Sequence, residues 1–173
     1  YIYGLIGKPL IFDIMRYVIE YAIDHQVNKN NGIVVSTYNK FGGKLFGLQL
    51  IYNNSSNIRL SSRAYYLNGK RHGLTQRWHS LDRYLLTHEE NYLHGKQHGK
   101  QVEYHSSGKI KSIEHWNNGK LHGGSITYDD NNKIISNIIY DDDKIISIFV
   151  RNLDGSPRID TIVIGEKSII TTY

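Results

Sequence analysis

His72, His98 and His122 recur at one place in a repeated phrase, and the nine histidines of the chain invite a metal or proton-transfer reading. A zinc ion needs each ligand about 2 Å away. Equivalent residues of successive hairpins lie two strands apart, about 10 Å, so the ladder cannot close on one ion. Across-turn pairs, His94 with His98 or His115 with His122, can approach, but no matching carboxylate or cysteine set accompanies them. Glu89, Glu90, Glu103 and Glu114 are scattered along the chain, and nothing marks a carboxylate pair for glycoside chemistry. No nucleophile elbow, P-loop, dinucleotide fingerprint or HExxH occurs. These residues point away from catalysis, and no catalytic, metal-binding or cofactor-binding residue is assigned.

Composition narrows the classes further. The 173 residues allow one domain of ordinary size. There is no cysteine, so a disulfide framework and a thiolate zinc site are excluded. That fits a reducing compartment, and the expectation is an intracellular, cytoplasmic protein. Ile, Asn, Lys and Tyr, all with AT-rich codons, are abundant. This hints at an AT-rich bacterial, protist or large-virus genome, and for a viral protein the expected place is a viral factory or virion. No signal peptide is expected in YIYGLIGKPL. The longest apolar stretch, residues 10–23, is interrupted by Asp13, Arg16 and Glu20, which argues against a transmembrane segment. The net charge of +5 is uneven. Residues 63–120 carry ten Lys/Arg against five Asp/Glu, and residues 121–154 carry three against six.

The histidine phrase belongs to a repeat that runs from end to end. Lys44, Lys70, Lys96, Lys120, Lys144 and Lys167 are spaced by 26, 26, 24, 24 and 23 residues. Gly43, Gly69, Gly95 and Gly119 precede the first four. Three residues after each of these lysines stands a second glycine: Gly47, Gly73, Gly99 and Gly123. Aromatic residues hold two further columns: Tyr66, Tyr92, Trp116 and Tyr140 before the lysine, and Tyr52, Trp78, Tyr104 and Tyr128 after it. A second turn is expected half a period on, at Asn57, Arg83, Lys109 and Lys133. Between turns the chain is rich in Ile, Tyr, Val and Thr, with period-two alternation at Leu50/Tyr52, Val102/Tyr104 and Ile126/Tyr128. Each repeat therefore reads as strand, turn, strand, turn.

The first glycine suits a two-residue hairpin loop, which needs positive φ. The loop is either Asn-Gly or Gly-Lys, and Gly-Lys is preferred. With Gly-Lys, Tyr66 lies across from Gly73, Tyr92 from Gly99 and Trp116 from Gly123. A ring can cover a glycine because no side chain competes for the space. A two-residue loop would send the aromatics before and after the turn to opposite faces; a three-residue loop with a bulge would bring them together. Periodicity leaves that choice open.

YLNGKRHG (66–73), YLHGKQHG (92–99) and WNNGKLHG (116–123) resemble MORN repeats, particularly the variant form of bacterial MORN-type antitoxin-like proteins and large DNA viruses. The resemblance covers roughly residues 38–150. It implies an elongated, twisted antiparallel meander of stacked hairpins that serves as a scaffold or protein-binding surface; phospholipid binding has been proposed for some members. YDDDKIIS (140–147) and VIGEKSII (163–170) depart from the pattern, lacking glycine in both columns. About six MORN-like repeats, the last two degenerate, are expected over residues 33–173.

The segment before the repeats, KPLIFDIMRYVIEYAIDHQ, reads as an amphipathic helix. Pro9 suits its first turn, and Leu10, Ile14, Tyr17, Val18 and Tyr21 form its apolar face. Residues 1–32 are thus expected to be a helical cap and linker, with IVVSTY the first strand. The expected fold is all-β, about twelve strands in an antiparallel meander with a short N-terminal helix. The expected function is a non-enzymatic interaction or assembly module, needing no cofactor, that binds a protein partner or a second copy. One alternative is an antitoxin-like neutraliser of a partner. Another is an anionic lipid or, less favoured, a nucleic acid held along the basic turn edge. The candidate binding residues are Tyr66, Trp78, Tyr92, Tyr104, Trp116 and Tyr128 on the strands and Lys70, Lys96 and Lys120 at the turns.

Overall fold

A computed structural model describes residues 23–30, 33–53, 58–79, 84–151, 156–164 and 167–171. They form one open antiparallel sheet of 14 strand segments in which neighbours in sequence are neighbours in space. The strands are β1 (Ile23–Asn30), β2 (Ile33–Phe41), β3 (Lys44–Tyr52), β4 (Leu60–Leu67), β5 (Lys70–Trp78), β6 (Leu86–Leu93) and β7 (Lys96–Gln97). They continue as β8 (Gly99–Tyr104), β9 (Ile110–Asn117), β10 (Lys120–Tyr128), β11 (Ile134–Asp141), β12 (Lys144–Arg151), β13 (Pro157–Ile164) and β14 (Lys167–Thr171). β7 and β8 are two halves of one strand interrupted at His98, so residues 33–171 supply the twelve strands the repeat implies.

No helix occurs among the described residues. Most of the expected N-terminal helix lies outside them, but its last residues, Ile23 to Gln26, are strand, and so is the start of the expected linker. β1 pairs with β2 from Ile23↔Phe41 to Asn30↔Ile33. The apolar periodicity loses here to an available partner edge: strand formation is decided more by neighbours than by intrinsic preference.

The hairpin loops are Gly42-Gly43, Asn68-Gly69, His94-Gly95, Asn118-Gly119 and Asp142-Asp143, and both residues of each have positive φ. Asn68 has φ 51° and Gly69 78°. This is the signature of a type I′ turn, whose twist matches that of the flanking strands. The preferred Gly-Lys loop is therefore corrected: each lysine is the first residue of the following strand, as in Leu67↔Lys70 and Leu93↔Lys96.

The second glycine also has a left-handed backbone, from φ 71° at Gly47 to 99° at Gly123. It sits where the hairpin register slips. Tyr66 faces Arg71, yet Ala64 faces Thr75, so β5 carries two more residues than its partner between those pairs. The same excess appears between Leu121 and Ser125 against Trp116 and Glu114. In the fifth hairpin, where Ser147 replaces the glycine, the slip shrinks to one residue: Tyr140 faces Ile145 and Ile139 faces Ser147. A bulge of this kind bends the strand and increases its twist. Each tip then leans on the hairpin before it. Gly69 N donates to Leu45 O at 2.8 Å, Gly95 N to Arg71 O at 2.8 Å, and Gly119 N to Gln97 O at 2.8 Å.

The far turns explain the change of period. Those at 105–109 and 129–133 close through His105 N to Lys109 O and Asp129 N to Lys133 O. In the longer repeats the equivalent bonds are Asn53 N to Arg59 O and His79 N to Leu85 O, so two residues are added in the turn itself. The expected turn positions Asn57 and Arg83 lie outside the described residues; Arg59 and Leu85 are the true equivalents of Lys109 and Lys133. The single layer buries little. Among the described residues Ala64 and Val102 are the buried apolar ones, and Thr75, Gln76 and Gln101 the buried polar ones.

Gly123 and Gly124 give a matched test. A Cβ at Gly123 would stand 3.3 Å from His115 Cβ on a backbone of φ +99°, whereas one at Gly124 would meet nothing within 4 Å. Gly123→Ala is expected to destabilise the protein by more than about 1 kcal/mol, and Gly124→Ala to leave it unchanged or stabilise it by about 0.5 kcal/mol. Equal effects of the two in urea unfolding would refute the bulge assignment.

Candidate interaction surface

Because the loop has two residues, the aromatic columns part to opposite faces. On a strand, residues two apart share a face and adjacent residues do not. Tyr92 shares a face with Glu90, and the Tyr92 hydroxyl donates to Glu90 Oε2 at 3.3 Å. Tyr104 reaches Glu89, on the other face, donating to Glu89 Oε2 at 2.8 Å. Tyr66, Tyr92 and Trp116 thus line one face, and Trp78 and Tyr104 the other, with Tyr128 following in the same column.

A ring does stand opposite each second glycine, but it comes from the next hairpin. The pairs are Gly47↔Tyr66, Gly73↔Tyr92, Gly99↔Trp116 and Gly123↔Tyr140. The expected same-hairpin pairs do not form; Tyr66, Tyr92 and Trp116 face Arg71, Gln97 and Leu121 within their own hairpins.

The first face carries an aromatic and charged network. Arg71 donates to the Tyr92 hydroxyl at 3.0 Å and lies over its ring, 5.1 Å from the centroid. Arg77 pairs with Glu90, which is itself largely covered. Trp116 Nε1 donates to Glu114 Oε2 at 3.0 Å. Burial first, then the Glu90 carboxylate, push the Tyr92 phenol above its usual range, while Arg71 opposes them. Tyr92 therefore stays protonated and can donate.

The second face holds a relay across four strands. Arg63 Nε donates to Gln76 Oε1, Gln76 Nε2 donates to Glu89 Oε1, and Tyr104 donates to the other Glu89 oxygen. Arg63 also lies 5.9 Å from the Trp78 ring centroid, and Trp78 stacks on Tyr84 with centroids 5.7 Å apart. Burial and the Glu89 carboxylate raise Tyr104 to about 12. The relay residues were not singled out from sequence. Their signal is a spacing of 13, half of the 26-residue period, which places Arg63, Gln76 and Glu89 side by side on successive strands.

Gln101 mends the ladder at the bulge. Its side-chain amide accepts from Asn91 N at 2.9 Å and donates to Asn91 O at 2.8 Å, and it is 5% exposed.

At the tip edge the histidine column meets the next turn. His72 and His94 rings stand 4.9 Å apart, and Asn118 N lies 3.4 Å from His98 Nδ1. His122 does find carboxylates, Asp141 at 3.3 Å and Asp142 at 3.4 Å, which spacing alone had not paired with it. These three side chains are exposed, and Lys120 already neutralises Asp142 at 3.3 Å. The three side chains form an exposed polar cluster around the Lys120–Asp142 ion pair. An open groove of about 420 Å³ between far turns is lined by His79, Leu85, His88, Glu103, Tyr104 and His105, among others. No three metal-ligand atoms of that groove converge among the described residues.

No helix among the described residues is long and apolar enough to cross a membrane. No protein-family model matches the chain, and no curated protein matches it. Among solved structures, a protein of unknown function from Bacteroides fragilis NCTC 9343 aligns over 86% of this chain and 91% of its own, at 10% identity and a TM-score of 0.18. A superposition that loose carries no argument.

Two measurements probe these networks. Gln101→Leu takes the acceptor from the Asn91 N–H, while the Asn91 carbonyl keeps the bond from His98 N at 2.9 Å. It is expected to cost about 1–3 kcal/mol; an unchanged urea midpoint would contradict the role of the amide. Tyr104 should ionise near pH 12 in the fold against 10.0 ordinarily. Its folded pKa is raised, so its contribution is complete below the unfolded value and is lost as pH rises through the folded one. Absorbance titration at 295 nm should show a late component that Tyr104→Phe diminishes, the raised Tyr92 contributing the rest; full ionisation of every tyrosine near pH 10 would refute it.

Proposed function

We propose that this chain is a non-enzymatic interaction or assembly module of the variant MORN type, which presents an open repeat sheet to a protein partner. One observation carries the reading most directly: large apolar residues stay exposed on regular strands. Ile134, Ile135, Ile139, Ile145 and Ile146 on β11 and β12 are 37–42% exposed. Adjacent strand residues take opposite faces, so Ile135 and Ile139 expose apolar surface on one face and Ile134 and Ile145 on the other. Exposed large apolar side chains gathered in this way mark a contact site. The rings and ordered polar networks of β4–β10 add a rigid, half-exposed surface of the composition that binding sites favour. Among the described residues, β1 and β14 each pair on one side only, so strand addition by a second copy belongs to the same reading. Neutralising a partner in the manner of an antitoxin would use the same surface.

Binding to anionic lipid or nucleic acid is the second reading, favoured by the lysine-lined tips. Steep loss of affinity with salt would support it.

The test is affinity capture from native lysate with the wild-type chain and an Ile139→Asp/Ile146→Asp variant of equal stability. The expected result is stoichiometric capture of a protein, or of a second copy, by the wild type and its loss in the variant. Capture of nothing by any form, with a monodisperse monomer in light scattering, would overturn the proposal.

A further inference from the structure

We propose that the tip edge of the first three repeats is a rail for an extended acidic peptide segment, with a carboxylate at every third residue. The inference rests on the interaction-module reading and names the chemistry of its partner. The charge on this edge is segregated. Residues 38–48, 65–74 and 91–100, which form these tips, contain Lys40, Lys44, Lys70, Arg71, Lys96 and Lys100 and no Asp or Glu. The acidic side chains of β6, β8 and β9 lie farther along the strands, where Glu89, Glu90, Glu103 and Glu114 are engaged by Tyr104, Arg77, Lys111 and Trp116. Among the described residues Lys44, Lys70 and Lys96 have no ion-pair partner.

The fourth tip shows what such a lysine takes. Lys120 Nζ lies 3.3 Å from Asp142 Oδ2, and Leu121 N donates to Asp143 Oδ1 at 2.8 Å. Both carboxylates come from the next turn. In the first three repeats the same turn positions hold Asn68-Gly69, His94-Gly95 and Asn118-Gly119, which bring none. Three copies of a two-point carboxylate receptor, one ammonium and one backbone N–H, are thus left without the acid that fills the fourth. The lysine roots are held in place: a Cβ at Gly69, Gly95 or Gly119 would stand 3.7, 3.4 or 3.6 Å from the Cβ of Lys44, Lys70 or Lys96.

Spacing sets the ligand. Equivalent lysines lie two strands apart, about 10 Å. A peptide extended as polyproline II rises about 3.1 Å per residue with about three residues per turn, so every third side chain returns to the same side after about 9 Å and meets the next lysine. A single-stranded nucleic acid would stack its bases on rings beside the cations. The tips do hold rings, at Phe41, Phe46, His72 and His94, but the group that fills the fourth tip is a carboxylate on both the ammonium and the backbone N–H, which favours the acidic peptide.

The experiment is fluorescence anisotropy of the full chain with a labelled fivefold repeat of Glu-Ser-Gly. A composition-matched peptide with its glutamates consecutive, poly(U) and vesicles containing phosphatidylserine serve as competitors. The spaced peptide should bind best, more weakly as salt rises. Lys44→Gln/Lys70→Gln/Lys96→Gln should weaken it by about tenfold or more. Asn68→Asp/His94→Asp/Asn118→Asp should weaken it similarly, because the new turn carboxylates occupy the lysines in cis; Asp-Gly suits the type I′ loop, so the fold is kept. Indifference of peptide binding to both variants, or tighter lysine-dependent binding of poly(U) or vesicles, would overturn the rail. If partner capture survives both the lysine and the turn variants and fails in Ile139→Asp/Ile146→Asp, the rail is wrong and the module reading stands. If no form captures a partner, the module reading itself falls.

Discussion

The structure depends on a left-handed backbone at fixed places in each hairpin. Two loop residues with positive φ turn the chain tightly, and a third, the second glycine, lets the returning strand slip by two residues. L-residues with a Cβ resist this conformation and glycine does not. The slip curls each tip onto the preceding hairpin, where the loop glycine N–H finds a strand carbonyl. Stacking is therefore written into the backbone, and a broad two-layer core is not required. The fifth hairpin keeps the left-handed loop at Asp142-Asp143 and the tip bond, Asp143 N to Leu121 O at 2.9 Å, but with Ser147 in place of the second glycine its slip falls to one residue.

That geometry sorts the surface. The tips form a cationic edge, the aromatic columns divide between two faces, and the polar residues of the middle strands join across them. The Arg63, Gln76, Glu89 and Tyr104 relay fixes side chains that would otherwise be long and mobile. Fixing them in advance lowers the ordering cost that a partner would meet on binding. The exposed isoleucines of β11 and β12 lie toward the other end of the sheet. A basic tip edge and the exposed isoleucines thus sit apart on one sheet.

Much of this was legible in the residues. Glycine columns mark positive φ because other residues rarely tolerate it, so the turns, the repeat and the all-β class could be read directly. The register could not. An insertion of two residues keeps the in-out alternation of a strand, so the slip at Gly73 leaves no trace in the apolar pattern and the rings seemed to belong to the wrong hairpin. The loop choice failed for a related reason, since Asn68-Gly69 and Gly69-Lys70 both place a glycine at the corner. The step in spacing from 26 to 24 was visible, but its cause, two extra residues in the far turns of the longer repeats, required the bonds that close them. In β1, IDHQVNKN shows no strand pattern at all; pairing with β2 decides it.

The register of glycine against ring is the most direct test of the account. Cross-strand backbone NOEs in labelled protein should connect Gly73 with Tyr92 and Gly99 with Trp116, with positive φ at all four glycine and asparagine corners of the second and fourth tips and their bulges: Asn68, Gly73, Asn118 and Gly123. NOEs that instead connect Gly73 with Tyr66 and Gly99 with Tyr92 would contradict it, because the hairpins would then lack the slip that stacks them.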